Sequence, residues 1–470
     1  MDHFMEIIGR ISGFIWDYIL LFALLGVGVY MSILLKFPQV TMLFPSIKKL
    51  IADIKNKVKV QEGRMTPFQS LSTAVAAQVG TGNIVGVATA IASGGPGAAF
   101  WMMLSAFFGM STIFAEAVLA QLYRETKNGQ LVGGPAYYIK NGLNAKWLSA
   151  LFAIFCIIAL GIVGIMVQSN SVVTSMSEMF KVSGNWVTVA LLAVVGVILT
   201  GGMSRIAKFS EKVVPVMAFA YILGSLIIVV INFPLLLPAL RMIVVGAFSP
   251  EAIGGGVLGI TVQETIRFGL ARGMFSNEAG MGSTPHSHAV AQTDHPAEQG
   301  FIAMIGVFIS TFLICLSTVL VNLVSGSYQA TLPAVEMEKV STLMTQNGFI
   351  QGFGAFGGAF LSISLSSFAL TTIVGWYFFA ESNVKLLAGE KKIVVSGFKV
   401  VSLAFLVLGT FLNPDFVWKL ADLFNGLMAL PNIAALIILS FQVKRVLQHY
   451  KRQKALGTLT WPHPEDIRKG

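Results

Sequence analysis

Charged residues are scarce in this chain. Only 11% of its 470 residues are Asp, Glu, Lys or Arg, whereas 55% are hydrophobic; soluble domains carry about 25% charged residues. One water-soluble core could not bury so much apolar surface, and the apolar runs are long enough to cross a bilayer as helices. The alternating pattern of a transmembrane β-barrel is absent. The composition therefore predicts an all-α polytopic membrane protein.

Cysteines are few, and familiar catalytic motifs are absent. Cys156 and Cys315 each lie inside an apolar run without metal-ligand spacing, which is typical of small buried side chains. No GxSxG, HExxH or Walker-type motif occurs, which argues against a membrane enzyme. The first apolar run is too long for the core of a signal peptide and lacks a small-residue cleavage site.

About eleven apolar runs separate the charged loops. We predict transmembrane helices at roughly 14–35, 67–92, 96–122, 147–179, 186–201, 212–232, 253–291, 299–325, 352–384, 394–411 and 416–443. The second and seventh runs contain interruptions.

Lysine and arginine predict the orientation of these helices. Twenty-five of the 32 Lys and Arg residues fall in 36–64, 123–146, 203–212, 385–399 and the tail from residue 444. These segments alternate along the chain, so they lie on one side, which the positive-inside rule assigns to the cytoplasm. We therefore expect a multi-pass protein of the cell membrane with its N-terminus outside and its C-terminus in the cytoplasm. The net charge of +10 is then explained by the cytoplasmic loops and their contact with membrane lipid, and not by binding of nucleic acid.

The two interruptions suggest an internal repeat. One is "GTGN" at 80–83 and the other lies near "GMFSNEAGMGS" at 273–283. If the first span is set aside, the remaining ten form two sets of five, spans 2–6 and 7–11. Each break then falls in the first helix of its set, and spans 2 and 7 cross the membrane in opposite directions. This pattern predicts an inverted 5+5 repeat, in which paired glycine-interrupted helices mark a transporter binding site.

The predicted organisation follows from these spans. It has an extra N-terminal transmembrane helix (1–36), a cytoplasmic amphipathic connector (37–65), a first five-helix repeat (66–232), an extracellular connector (233–252), a second five-helix repeat (253–443) and a cytoplasmic tail (444–470).

An unwound segment inside a membrane helix exposes backbone groups that are tolerated only beside a cavity. The half-helix after "GTG" has free N–H groups and a positive dipole end, which suit a carboxylate. The half-helix before it has free carbonyls, which suit Na⁺ or an ammonium group. A single such break could therefore bind both ends of a zwitterion, although simple helix packing is the alternative explanation of one Gly-rich kink.

Four stretches resemble a known family. They are "VGTGNIVGVATAIASGGPGAAFWM" (79–102), "GGPAYYI" (133–139), "RGMFSNEAGMGSTPHSHAVAQTDHPAEQGF" (272–301) and "GWYFFAE" (375–381). Together they resemble the alanine/glycine:cation symporters, the sodium:alanine symporter family, over nearly the whole chain. The resemblance implies a leucine-transporter-like fold of the amino acid–polyamine–organocation superfamily with one extra leading helix. It also implies Na⁺-coupled uptake of alanine, and of glycine, with no organic cofactor.

The resemblance also implies roles around the first break. Backbone amides at Gly80, Thr81 and Gly82 would hold the substrate carboxylate. Asn83 would help to hold sodium. Gln78 stands where fold relatives carry a small apolar residue, so it would either bind substrate or stabilise the break.

A sodium site is implied between the first break and the ninth span. Its ligands would be the carbonyls of Ala76, Val79 and Phe368 with the hydroxyls of Thr371 and Thr372. Neutral oxygens of this kind suit a hard cation. Back-bonding of the two hydroxyls within their own helix is the alternative, and Ser366 and Ser367 form a competing hydroxyl pair.

The second break would complete the substrate site. Phe275, Ser276, Asn277 and Gly280 are expected near the ammonium group. On the ninth span, Ile373 and Trp376 are candidates for the bulk that selects a small side chain, with Met166 and Gln168 as weaker candidates on the fourth span.

Other ionisable residues leave alternatives open. His286, His288 and His295 lack the i, i+4 spacing of a helical metal site, and we expect a solvated loop or gate there. Intramembrane carboxylates are functional suspects. Glu116 would contact a gate or Arg124, and Glu278 would anchor the unwound backbone; either could carry protons instead. A proton-coupled amino-acid symporter, a transporter of another small solute and a membrane enzyme with a metal centre are therefore the rival functions.

Overall fold

The computed structural model describes residues 2–56, 60–61, 63–127, 129–249, 261–328, 334–389 and 391–469. Within these ranges the chain is almost entirely helical, as its composition predicts. A four-residue helix, Pro38–Thr41, follows the N-terminal helix. A 3₁₀ turn, Thr81–Asn83, follows the helix that ends at Gln78, and another, Phe233–Leu235, follows the helix that ends at Ile231.

The main helices and strands are numbered in chain order. They are α1 (Glu6–Leu34), α2 (Leu43–Lys55), α3 (Pro67–Gln78), α4 (Val85–Gly94), α5 (Ala98–Leu122), β1 (Glu125–Lys127), β2 (Gln130–Val132), α6 (Pro135–Gly142), α7 (Lys146–Phe180), α8 (Gly184–Thr200), α9 (Gly202–Ile231), α10 (Leu236–Gly246), α11 (Val262–Asn277), α12 (Pro285–Ala289), α13 (Pro296–Val324), α14 (Ala334–Phe353), α15 (Ala355–Ala388), α16 (Lys392–Gly409), α17 (Pro414–Ala455) and α18 (Pro464–Lys469).

Most predicted spans correspond to long helices. In the described ranges, eight helices are long and apolar enough to cross a membrane, or nine if α3 and α4 count as one bent span. Helix α8, the predicted fifth span, has 17 residues and is shorter than these. The start of the predicted seventh span, 253–260, lies outside the described residues. The count of eleven spans and the inverted repeat therefore stay predictions.

Small residues allow the helices around the site to approach closely. Gly269 and Gly273 lie one turn apart on α11 and face α5. A Cβ atom at Gly269 would lie 2.3 Å from the carbonyl oxygen of Ala98, and one at Gly273 would lie 2.6 Å from Ser105 Oγ. Spacing of this kind is what close helix pairs in membranes require. It places the second broken helix directly against α5.

The basic loops meet on one side of the molecule, which we call the basic side. Residues from 60–65, Gln130 and 201–208 line a cavity of about 390 Å³ there. Met65, which precedes α3, and Ala291, which follows α12, form a parallel backbone bridge. The Met65 N–H donates to the carbonyl of Val290 over 3.0 Å. The basic-side ends of both broken helices are therefore joined directly.

Arg124 reinforces this junction just after α5. Its guanidinium donates to the carbonyl of Ala291 over 2.7 Å and lies 4.3 Å from the ring centre of Trp461 in the tail. Burial, with a smaller effect of the nearby Arg64 charge, lowers the pKa of Arg124 to about 10. The guanidinium therefore stays charged at neutral pH. The expected contact between Arg124 and Glu116 does not form; Arg124 binds backbone carbonyls instead.

Helix α12 closes the basic side as a buried plug. All five of its residues are buried. His286 stacks between Phe152 and Phe379, with ring centres 6.2 and 5.6 Å away, and its Nε2 accepts from Asn383 Nδ2 at 2.8 Å. His288 Nδ1 lies 2.7 Å from Gln299 Nε2. The expectation of solvated histidines is therefore wrong for this pair, since each imidazole is packed and has an amide partner. In the described part of the chain, no three His, Cys, Asp or Glu side chains form a group that could hold a metal.

The "GGPAYYI" motif is explained by the same plug. Gly134 has φ +130°, and a Cβ atom there would lie 2.5 Å from His286 Cδ2. A Cβ atom at Gly133 would lie 2.6 Å from Ala289 Cβ. Both glycines are needed because the start of α6 passes directly over α12.

We predict that Gly134→Ala destabilises the protein by about 1–3 kcal/mol, the usual cost of overpacking. The added methyl group meets the His286 ring at a backbone angle that disfavours alanine. The control is Gly397→Ala on α16, where a Cβ atom meets nothing within 4 Å and alanine favours the helix. Thermal unfolding in one detergent would compare them; equal unfolding temperatures for both variants would contradict the predicted clash.

Candidate functional site

The two broken helices meet at the centre of the molecule. Helix α3 ends at Gln78, and the chain bends by 63° before it continues through Thr81–Gly94. The Gln78 side chain donates from Nε2 to the carbonyl of Asn277, where α11 ends, over 2.8 Å. Asn83 Nδ2 donates to Ser276 Oγ, also over 2.8 Å. The first unwound segment is thus bonded to the second, as the paired breaks in the sequence predict.

Polar side chains from neighbouring helices bind the first unwound backbone. The Gly80 N–H donates to Asn83 Oδ1 at 3.0 Å, and the Thr81 N–H donates to Gln168 Oε1 at 3.2 Å. A Cβ atom at Gly80 would lie 2.6 Å from Thr372 Oγ1. The absence of a side chain at Gly80 therefore lets α7 and α15 approach the break. Gln168, predicted only as a weaker candidate for the substrate pocket, is bonded directly to the unwound backbone.

Three buried polar atoms around the breaks have no hydrogen-bond partner among the described residues. They are Gln78 Oε1, Thr81 Oγ1 and Asn277 Nδ2, and each of these residues is at most 2% exposed. A buried polar group without a partner costs about 1–3 kcal/mol, so such groups are rare in folded proteins. These three atoms lie at the two breaks and include both donors and acceptors, which is what a site for a small polar ligand requires.

The hydroxyl pair on α15 divides between two partners. Thr372 Oγ1 donates to the carbonyls of Ala76 and Val79, over 2.9 and 3.2 Å. Thr371 Oγ1 donates to the carbonyl of Phe368 within its own helix, over 2.9 Å. All five are buried. The structure therefore gathers three of the six predicted sodium ligands at one point, Ala76, Val79 and Thr372. Two more, Phe368 and Thr371, bond each other within α15.

The competing hydroxyl pair does not face the break. Ser366 Oγ donates to the carbonyl of Ser362, and Ser367 Oγ donates to that of Ile363, each four residues back in α15. Such back-bonding needs no ligand. Asn83 was also predicted to bind sodium. In this structure its oxygen accepts from the Gly80 amide, and its Nδ2 group links the first break to Ser276 of the second.

The second unwound segment runs from the end of α11 to α12. Glu278, Gly280 and Gly282 have φ values of 57°, 87° and 83°, which turn the chain sharply. Asn277 Oδ1 accepts from the Ala279 N–H at 3.0 Å. The Phe275 ring lies against Gly82, where a Cβ atom would be 3.0 Å from it. The predicted residues of the two breaks therefore share one buried region.

Trp376 reaches the second break from α15. Its Nε1 donates to Glu278 Oε1 over 2.6 Å, and its ring packs over Gly164, where a Cβ atom would lie 2.6 Å away. Ile373, on the same helix, is fully buried. Both lie on the helix that carries Thr372, and their role in selecting a small side chain stays a prediction.

Glu116 is the site residue whose role the sequence did not show. Its two carboxylate oxygens accept from the N–H groups of Gly280 and Gly282, over 3.1 and 3.0 Å. This anchoring role was expected of Glu278, which instead accepts from Trp376 and Ser283. The sequence feature that could have indicated this role is "AEA" at 115–117, where Glu116 stands between two alanines on a helix that has no other charged residue.

The side opposite the basic side carries a cavity that reaches the site. It has a volume of about 180 Å³ and extends from Asp17 on α1 to Phe275. Arg267 pairs with Asp17 over 2.5 Å, and Arg272 pairs with Asp422 over 3.3 Å. Glu264, three residues before Arg267, caps the start of α11 and does not pair with that arginine.

A family model supplies the identification. The model described as the sodium:alanine symporter family matches residues 1–462. The chain belongs to the sodium:alanine symporter family. It is therefore a membrane transporter of the amino-acid symporter type, as the family resemblance implies.

Relatives match over nearly their whole length. The chain is 40% identical to an uncharacterized transporter of Haemophilus influenzae, covering 92% of this chain and 93% of that protein. It is 38% identical to a probable sodium/glutamine symporter of Bacillus subtilis, covering 97% and 93%. It is 37% identical to a sodium/alanine symporter of Methanococcus maripaludis, covering 93% and 95%. The names of these relatives differ in substrate.

We predict that Thr372→Ala raises the sodium concentration for half-maximal transport by about fivefold, equivalent to about 1 kcal/mol for one lost oxygen ligand. Thr371→Ala should act in the same direction. Ser367→Ala is the matched control, because its hydroxyl is bonded within its own helix and does not contact the first break. Sodium titrations of alanine uptake would measure all three; no shift for Thr372→Ala would show that the predicted sodium site is wrong.

Proposed function

We propose that the protein imports alanine, and glycine, together with Na⁺ across the cell membrane by alternating access. The observation that carries the proposal is the meeting of two unwound segments around the unpartnered atoms of Gln78, Thr81 and Asn277. The family and the sodium/alanine symporter among its relatives support the same function.

The first break would hold the substrate carboxylate. The amides of Gly80, Thr81 and Gly82 precede the ten-residue helix α4, whose N-terminal end favours an anion. The Thr81 amide already binds a side-chain oxygen, that of Gln168, which a carboxylate oxygen could replace. Thr81 Oγ1 would supply a further donor.

The second break would receive the ammonium group. Helix α11 ends with carbonyl groups at Phe275, Ser276 and Asn277, and the carbonyl end of a helix favours a cation. The unpartnered oxygen of Gln78 would add an acceptor beside the Asn277 carbonyl. Gln78 would then both join the breaks and contact substrate, which combines the two roles left open by the sequence.

Sodium would bind between α3 and α15. The carbonyl groups of Ala76 and Val79 share the single hydroxyl hydrogen of Thr372. A cation bound between them could interact with both oxygens more fully than one shared hydrogen does. Phe368 and Thr371 would complete the oxygen set. Sodium would thereby draw α15 to the end of α3 and fix the bend that presents the Gly80–Gly82 amides to substrate.

The two sides of the molecule fit alternating access. The buried plug α12 closes the basic side, which we assign to the cytoplasm, while the cavity beside Phe275 lies on the opposite side. We propose that α3 to α9 and α11 to α17 hold the two inverted five-helix repeats, with α1 as the extra helix. Import would require the plug to open after the outer cavity closes.

We predict that proteoliposomes accumulate labelled alanine when an inward sodium gradient is imposed. Accumulation should vanish when potassium replaces sodium at equal pH, because potassium does not drive the coupled step. The test measures the initial rate and final accumulation under both conditions. Uptake that is equal in sodium and potassium but driven by a pH gradient would contradict sodium coupling and favour a proton-coupled symporter.

We predict that glycine competes with labelled alanine far better than glutamine does. The buried Ile373 and Trp376 side chains would leave room for a methyl group but not for a longer amide chain. A competition panel at fixed sodium gives the inhibition constants. Stronger inhibition by glutamine would show that the pocket accepts larger substrates and that this pair does not limit side-chain size.

A further inference from the structure

Glu116 binds the second unwound segment between the substrate site and the plug. The segment leaves α11 at Asn277 and enters α12 at Pro285. Glu116 is fully buried on α5 and accepts the N–H groups of Gly280 and Gly282. It therefore fixes the middle of the seven residues that connect the substrate site to the plug.

A second helix completes this clamp. Asn432 Nδ2 on α17 donates to Glu116 Oε1 at 2.6 Å and to the Gly280 carbonyl at 2.8 Å. Tyr138 on α6 donates its hydroxyl to Asn432 Oδ1. The glycine backbone is thus held through both its N–H and its C=O. The clamp joins α5, α6 and α17 to the unwound segment.

The hydrogen bonding requires an acceptor at both oxygens of Glu116. Three N–H donors converge on its carboxylate, which can accept them all. A glutamine at this position would have the same shape, but its NH₂ group would face one of these donors. Glu116→Gln therefore removes at least one bond and introduces a donor–donor contact without creating a cavity.

We propose that Glu116 is a positioning residue that holds the second unwound segment in the form that keeps the α12 plug closed. The substrate-binding end of this segment is held separately, since Asn277 bonds Gln78 and the Ala279 N–H. Loss of the clamp should therefore release the plug more than it disturbs substrate binding. The transport part of this inference depends on the proposed symport, whereas the closure of the plug does not.

The test measures how fast a cysteine in the plug is alkylated. Ser287→Cys places a thiol on α12, where Ser287 is 0% exposed. The purified full-length protein in detergent is treated with a maleimide, and protein with only the buried native Cys156 and Cys315 gives the blank. This measurement needs neither substrate nor sodium, so it remains valid if the proposed function fails.

We expect Glu116→Gln to raise the alkylation rate at residue 287 about tenfold or more, the range implied by leaving a buried donor without an acceptor. In proteoliposomes, kcat for alanine should fall by a similar factor while KM changes by less than about threefold. Glu116→Asp, one methylene shorter, should not restore either value. The control is Glu298→Gln, which removes the Lys49 ion pair of another buried carboxylate and should leave alkylation unchanged.

Asn432→Ala keeps the test decisive if Glu116→Gln does not fold. It leaves Glu116 with its two glycine N–H donors, so a smaller increase in alkylation is expected. Alkylation at the parent rate in these variants would overturn the proposal. A second result would also overturn the proposal: the variants are alkylated at the parent rate and exchange alanine fully, but no longer accumulate it. That result would assign the Glu116 carboxyl group to proton movement.

Discussion

The structure depends on one constraint. Two helices are interrupted inside a membrane protein, and the backbone N–H and C=O groups that lose their helical partners there must find other hydrogen-bond partners. No water is available in the hydrocarbon region to bind free N–H and C=O groups. At the first break, the released groups bind Asn83, Gln168 and Thr372. At the second, the glycine amides bind Glu116. Polar side chains of the interior therefore supply the hydrogen bonds that the irregular backbone cannot make within a helix.

This constraint also explains why small residues recur around the site. Polar side chains can reach an unwound backbone only if their helices approach it closely. Gly80 admits Thr372 and Gln168, and Gly273 brings α11 against Ser105 of α5. Gly134 admits the His286 ring. The glycine-rich motifs are thus geometrical partners of the polar residues rather than separate features.

The sequence predicted the positions of both breaks because these depend on local residue type and spacing, whereas the hydroxyl pair on α15 was implied by the family resemblance. Thr372 bonds Ala76 and Val79, with which the resemblance groups it as a sodium ligand, whereas its neighbour Thr371 bonds its own helix. The exchange of roles between Glu116 and Glu278 could not be predicted, since it depends on how α5 and α15 rotate about the second segment. The burial of His286 and His288 was missed for a similar reason: a short polar segment looks solvated until its packing partners are known.

The two breaks differ in how firmly their backbone groups are held, and this difference has a functional consequence. At the first break, one hydroxyl hydrogen of Thr372 serves two carbonyls, so each receives only part of a bond. At the second, a buried carboxylate and Asn432 hold Gly280 through both its N–H and its C=O. A cation could therefore replace the weak partner at the first break, whereas the second break is held by side chains from both α5 and α17. Under the proposed symport, ion binding would act on the first break, while the second would respond through its contacts with Gln78 and Asn83.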